Sequence, residues 1–214
     1  MVFHRHRKWA KLPRMTEPPR PPRRLAVLAS GRGSNLVAIQ DAIDRGDLHA
    51  SVALVVSNNS SAGALEFARR RGIPWAHVSA KTDADPGVRL LERLEAVGCE
   101  VLVLAGYMKL LDPRVVAAYR GRAMNIHPGP LPRFGGPGMF GEHVHAAVLA
   151  AGVPTSGPTV HRVTEHYDEG DILAHTEVPV LPGDDVASLA ARVLAAEHAL
   201  YWRTIARVFD AAPD

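Results

Sequence analysis

Asn125 and His127 stand two residues apart in Met124-Asn125-Ile126-His127-Pro128, where the chain runs into Pro128-Gly129-Pro130-Leu131-Pro132. On an extended strand, residues i and i+2 point to one face, so this amide and imidazole would present to one small volume. An NH2 donor and an imidazole aimed at one point can stabilise a developing oxyanion and manage a proton, which is what acyl transfer to an amine requires. A bare Asn-x-His is common, so the pair gains meaning only from its company. Two segments supply candidates: Gly31-Arg32-Gly33-Ser34-Asn35 near the start, and Thr164-Glu165-His166-Tyr167-Asp168-Glu169-Gly170-Asp171 further on.

The glycine-containing segment falls where a first strand turns into a first helix. Glycines there let the backbone approach a phosphate, and a helix N-terminus offers amide donors with a favourable dipole. The segment lacks the third glycine of the dinucleotide fingerprint and the Lys-Ser/Thr of a P-loop, so redox-cofactor and nucleoside-triphosphate readings lose ground. Phosphate binding and a purely structural turn both remain open on position alone. In the acidic loop, Glu165, Asp168, Glu169 and Asp171 lie so close together that a solvated turn is the default reading. Eleven histidines raise a metal hypothesis. His143 and His145 are two apart on an expected helix and do not share a face, and no Cys cluster or His-Glu-x-x-His pattern exists, so no metal is expected.

The elements that must position these residues alternate between strand and helix patterns, which implies an α/β fold with a mostly parallel sheet and helices on both faces. Strands are expected at Leu25–Ala29, Ser51–Ser57, Trp75–Val78, Glu100–Ala105 and Ala123–His127. Helices are expected at Ser34–Asp44, Ala62–Arg71, Gly87–Val97 and Pro113–Tyr119, the last capped by Asp112 with a proline in its first turn. Asn125 and His127 then sit at the carboxyl end of a strand, where open parallel sheets bind ligands. The second half changes character: a helix at Gly141–Ala151, then strands at Thr155–Val163 and Ile172–Val180 joined through the acidic loop as an antiparallel extension. A last helix, Asp185–Val208, carries apolar residues at helical spacing and should pack on the sheet.

The length of 214 residues suits one domain with ample apolar content for a core. The longest apolar runs are strand-sized, which argues against a membrane protein. Cys99 is the only cysteine, so no intramolecular disulfide can form and a reducing cytoplasm is the natural home. The net charge of +3 is unevenly spread. Residues 1–24 carry Arg5, Arg7, Lys8, Lys11, Arg14, Arg20, Arg23 and Arg24 against Glu17 alone, leaving the remainder mildly acidic and speaking against a nucleic-acid-binding body. That segment is expected to be disordered, since it has little apolar surface to offset its ordering entropy, with the folded domain spanning 25–214. Its prolines oppose the amphipathic helix of a transit peptide, and Met15 is a second candidate start.

Gly31-Arg32-Gly33-Ser34-Asn35, Leu104-Ala105-Gly106-Tyr107-Met108, Asn125-Ile126-His127-Pro128 and Asp168 before Glu169-Gly170 occur in an order that resembles the folate-dependent formyltransferases, in particular those acting on glycinamide ribonucleotide. The resemblance runs from about Arg24 to Val208. It implies a Rossmann-like fold and formyl transfer from 10-formyltetrahydrofolate to the amine of glycinamide ribonucleotide, with Asn125, His127 and Asp168 as the catalytic set. It singles out Asp168 from its acidic neighbours, as a carboxylate that would raise the pKa of His127 and orient the ring. It further implies substrate contacts from Gly31, Arg32, Gly33, Ser34, Asn35 and Glu197, with Lys81 or Arg89 as a second basic phosphate ligand. Met108, Lys109, Leu110, Leu111, Val163 and Thr164 would line the pterin pocket, His161 would lie near the site, and Leu131–Pro132 would be cis. Partners would be small molecules, and the protein a monomer or homodimer. A formyltetrahydrofolate hydrolase and a non-catalytic folate or nucleotide binder are the rival readings. Arg133–Gly141 departs from the family's usual Pro-Gly-x-His stretch, and Lys109 replaces a common arginine.

Overall fold

The computed structural model describes residues 21–211. The strands are β1 (Arg23–Leu28), β2 (Ala50–Ser57), β3 (Trp75–His77), β4 (Val101–Leu104), β5 (Ala123–His127), β6 (Thr155–Ser156), β7 (Thr159–Arg162), β8 (Ile172–His175) and β9 (Val178–Pro179). Between them run the helices α1 (Ser34–Asp44), α2 (Gly63–Arg71), α3 (Pro86–Ala96), α4 (Pro113–Ala118) and α5 (Glu142–Ala150), and α6 (Val186–Ala211) closes the chain. Seven strands form one sheet in the order β3-β2-β1-β4-β5-β7-β8. The pairs from β3 through β5 are parallel, whereas β5–β7 and β7–β8 are antiparallel, so the α/β fold with an antiparallel extension matches the expectation.

Alternation along the buried strands builds a core on each face of the sheet. Leu25 and Val27 of β1, with Val101 and Val103 of β4, pack under α1, α2 and α6 beside Leu36, Ile39, Leu65, Tyr201 and Ile205. Ala26, Leu28, Leu102 and Leu104 face the other way, against Leu90 and Leu94 of α3 and Val115 and Val116 of α4. Strands covered on both faces read as continuous apolar runs, which is why β1, β2 and β4 were visible in the sequence. Each fully buried leucine contributes about 1.5–3 kcal/mol relative to exposure.

Three expectations need correction. The expected tail ended at residue 24, yet Arg23 and Arg24 belong to β1. Glu100 accounts for this, because its carboxylate accepts from the Arg23 guanidinium at 2.9 Å and from the Arg24 amide at 2.8 Å. Residues 1–20, where the rest of the expected disorder falls, lie outside the described residues. The continuous strands expected at 155–163 and 172–180 are each broken. Pro158 has no N–H to give to a ladder, and a side chain on Gly157 would collide with the Thr176 carbonyl. The outer pieces, β6 and β9, therefore pair as a separate two-stranded ribbon.

Candidate active site

The sheet order reverses between β1 and β4, and the loops leaving these strands line one side of a cavity of about 630 Å³. The two loops are tied together. The Ser30 amide donates to the Gly106 carbonyl at 2.9 Å, and the Met108 amide donates to Ser30 Oγ at 2.8 Å. Gly33 is the N-cap of α1 with φ of 81°, and no side chain caps the helix. A Cβ at Gly33 would lie 2.9 Å from Ala64, so glycine is required both for the left-handed backbone and for the approach of α2. The first amides of α1 are thus left facing the cavity, an arrangement that suits an anion.

Gly31, Arg32, Gly33, Ser34, Asn35 and Glu197 all line this cavity. Asn35 donates from Nδ2 to Glu197 Oε2 at 2.7 Å across a buried contact between α1 and α6. Burial pushes the Glu197 carboxyl up to about 7, with the Asn35 bond pulling the other way. Asn35 Oδ1 is left buried without a protein partner, as an acceptor for a ligand hydroxyl or amine. Lys81 sits in the turn after β3, outside the cavity lining, and Arg89 pairs with Glu92 at 3.0 Å. Arg32 is the one Lys or Arg among the described residues that line the cavity.

Asn125 and His127 sit at the end of β5 as their spacing demands, paired in register with His161 and Thr159 of β7. Asp168 reaches the same place from the loop between β7 and β8, in a left-handed conformation with φ of 58°. Its Oδ2 lies 3.5 Å from His127 Nδ1 and accepts from the Gly136 amide at 2.9 Å, while Oδ1 lies 3.4 Å from His161 Nε2. On its other side, His127 Nε2 is 2.7 Å from the Phe134 carbonyl, so both ring nitrogens face acceptors. The imidazolium satisfies both contacts and neutral imidazole satisfies one. His161, which the resemblance places near the site, lies on β7 beside Asn125 and Asp168. Its Nδ1 donates to the Arg162 carbonyl at 2.8 Å, and its Nε2 lies 3.0 Å from Asn125 Nδ2 and 3.4 Å from Asp168 Oδ1, so the ring sits between the amide and the carboxylate and orients both. The signal for it was its strand period opposite Asn125, readable only once the antiparallel register was known.

The expected rise in the His127 pKa is not what the surroundings produce. Burial pushes the imidazole below its ordinary value, reinforced by His161, and outweighs the upward pull of Asp168 and of the Phe134 carbonyl. Burial works to raise Asp168 as well, but its contacts with His161, His127 and the Gly136 amide hold it below the usual carboxylate range. The Asp168 carboxylate is therefore the settled charge, and the imidazole proton depends on what else enters the site. His145 on α5 also lines the cavity, and burial and His127 together hold its imidazole low.

Of the residues assigned to a pterin pocket, Met108 lines this cavity. Leu111 is buried in the core against α4, because the chain turns inward there to start the helix. Lys109, Leu110, Val163 and Thr164 lie outside the lining, and Tyr107, Met139, Phe140 and Tyr167 contribute apolar surface to it instead. Leu131–Pro132 is cis, as expected. No group of three or more His, Cys, Asp or Glu arranged to hold a metal occurs among the described residues.

A cavity lined by polar side chains where the strand order of a doubly wound sheet reverses describes a class, and comparison with known proteins supplies the family. The sequence pattern of the formyl transferase family matches residues 23–205, and the chain belongs to that family. It is 44% identical over 182 residues to the phosphoribosylglycinamide formyltransferase, chloroplastic, of Vigna unguiculata, covering 84% of this chain and 58% of that protein. The chain thus spans less than two thirds of that plant relative. Against the phosphoribosylglycinamide formyltransferase of Escherichia coli K12 it is 38% identical over 180 residues, covering 83% and 82% of the two chains. Glycinamide ribonucleotide transformylase 1 of Symbiobacterium toebii superposes with a TM-score of 0.80 at 40% identity, covering 86% of each chain.

Proposed function

We propose that this chain transfers the formyl group of 10-formyltetrahydrofolate to the primary amine of glycinamide ribonucleotide, a step of purine biosynthesis. The observation that carries the reading is the convergence of Asn125, His127 and Asp168 on a cavity that is also lined by the uncapped start of α1 and by Arg32. The phosphate of the nucleotide lies against the amides of Gly33, Ser34 and Asn35, with Arg32 as counter-charge. The Asn35–Glu197 pair offers acceptors for the sugar hydroxyls. The folate lies against the apolar side around Met108 and Tyr107.

The amine nitrogen attacks the formyl carbon, forming a C–N bond while the carbonyl electrons move onto oxygen. Asn125 donates to that oxyanion, oriented by His161. A negative oxygen beside His127 adds to the Asp168 field and reverses the balance set by burial, so the imidazolium is favoured when it is needed. The attacking nitrogen gives up a proton, with Asp168 assisting through water. N10 of the folate takes a proton as its bond to the formyl carbon breaks. The chain's own groups suffice, without a metal or a covalent enzyme intermediate.

Both partners are small molecules, neither nucleic acid nor membrane. No helix among the described residues is long and apolar enough to cross a membrane. The lone Cys99 suits residence in the cytoplasm, and the assembly is proposed as monomer or homodimer. The decisive experiment follows deformylation of 10-formyltetrahydrofolate with and without glycinamide ribonucleotide. Turnover only with the amine supports the transferase, turnover without it selects a hydrolase, and binding without turnover selects a non-catalytic binder.

A further inference from the structure

Phe134, Gly135 and Gly136 touch both members of the catalytic pair through their backbone. The Phe134 carbonyl is 2.7 Å from His127 Nε2, and the Gly136 amide lies 2.9 Å from Asp168 Oδ2. The Phe134 ring anchors one end of this stretch, buried with Val144 and Val148 of α5, Leu189 and Val193 of α6, and Val178. At the other end the chain continues into Pro137–Gly141, which lines the cavity. Between these ends Gly135 is closely packed. A Cβ there would run into Leu131 Cδ2 and come within 3.0 Å of the Asp168 Cβ. Neither contact depends on a side chain of the segment, so its sequence shows nothing of the role beyond two adjacent glycines.

We propose that the Phe134–Gly136 backbone is a clamp holding His127 and Asp168 at their mutual distance, and that Gly135 is the positioning residue on which the clamp depends. The proposal deepens the formyl-transfer reading and rests on it for the catalytic consequence. An acceptor on one ring nitrogen and a carboxylate on the other fix the orientation of the ring and accept from both nitrogens once it takes its second proton, and the Gly136 amide fixes which carboxylate oxygen faces it. A side chain at Gly135 presses on the Asp168 side chain at its Cβ and shifts the carboxylate, which loosens the pair without touching substrate.

The test uses the full chain with Gly135→Ala. Displacement of the carboxylate by a few tenths of an ångström is expected to lower kcat by about tenfold. KM for either substrate should stay within about threefold, since the interaction lost matters in the transition state. In histidine-labelled protein without substrate, the His127 titration midpoint should fall in the variant, because the carboxylate that favours its proton has moved away. A second measurement needs no variant at this position: the Gly136 amide resonance of the wild-type protein should shift with the midpoint of His127, and cease to do so in Asp168→Asn. Wild-type kcat in Gly135→Ala, or a loss of kcat with an unmoved His127 titration, would overturn the clamp. So would a wild-type Gly136 amide indifferent to His127; if Gly135→Ala does not fold, that amide measurement decides. Both resonance readouts are independent of substrate identity. Absent formyl transfer by the wild type therefore sinks the functional reading, while an unresponsive Gly136 amide sinks the clamp.

Discussion

At the residue scale, the candidate site pairs two titratable groups with opposite behaviour. Asp168 stays ionised, whereas His127 is held low by burial and takes its proton only with help. Replacing Asp168 by Asn should therefore lower the His127 midpoint further and cut kcat by about a hundredfold or more, as should His127→Ala, with the fold intact. Near-normal turnover in either purified variant contradicts the roles assigned. Glu197 makes a different prediction. Burial pushes its carboxyl from 4.5 up to about 7, so the folded protein keeps a proton that the unfolded chain releases between those values. The associated stability is fully present below the lower value and is lost as pH rises through the higher one. Glu197→Gln keeps a neutral acceptor for Asn35 at every pH. It should match the wild type near about pH 4 and exceed it by up to about 3 kcal/mol near about pH 8. Urea denaturation at both pH values checks this, and an equal difference at the two would refute it.

At the element scale, the entry to α1 couples backbone conformation to binding. Gly33 carries a left-handed φ and a close contact with α2, while its neighbours supply the amides that face the cavity. Gly33→Ala forces either the strained conformation or a shift of α2, at a cost of about 1–3 kcal/mol. Thermal unfolding should show that loss, and steady-state kinetics should show KM for the phosphorylated substrate rising far more than KM for the folate. An equal rise in both would place the phosphate elsewhere.

At the scale of the whole molecule, a buried hydroxyl adds a polar tie to the apolar packing of α6 on the centre of the sheet. Fully buried Tyr201 donates to the carbonyls of Leu104 at 2.7 Å and Met124 at 3.1 Å, bridging β4 and β5 directly behind the Asn125 strand. Tyr201→Phe leaves the ring packed but strips those carbonyls of a buried donor, and should destabilise the protein by about 1–3 kcal/mol. Denaturant unfolding measures this, and a change within error would show that the ladder bonds alone satisfy both carbonyls.

The order and type of most elements were readable because burial on both sheet faces writes apolar runs into β1, β2 and β4, and caps such as Asp112 mark helix starts by local hydrogen bonds. Asn125 and His127 were readable as a pair for a similar reason, since a strand's period of two needs no partner to define it. Arg23 and Arg24 were misplaced because the carboxylate that orders them, Glu100, comes from 76 or more residues away. The same limit hid the selection of Asp168 from its acidic neighbours, the orientation of Asn125 by His161, and the balance that keeps the His127 proton conditional. Each depends on desolvation and on distances between segments far apart in the chain. Those quantities exist only after the sheet has closed over them.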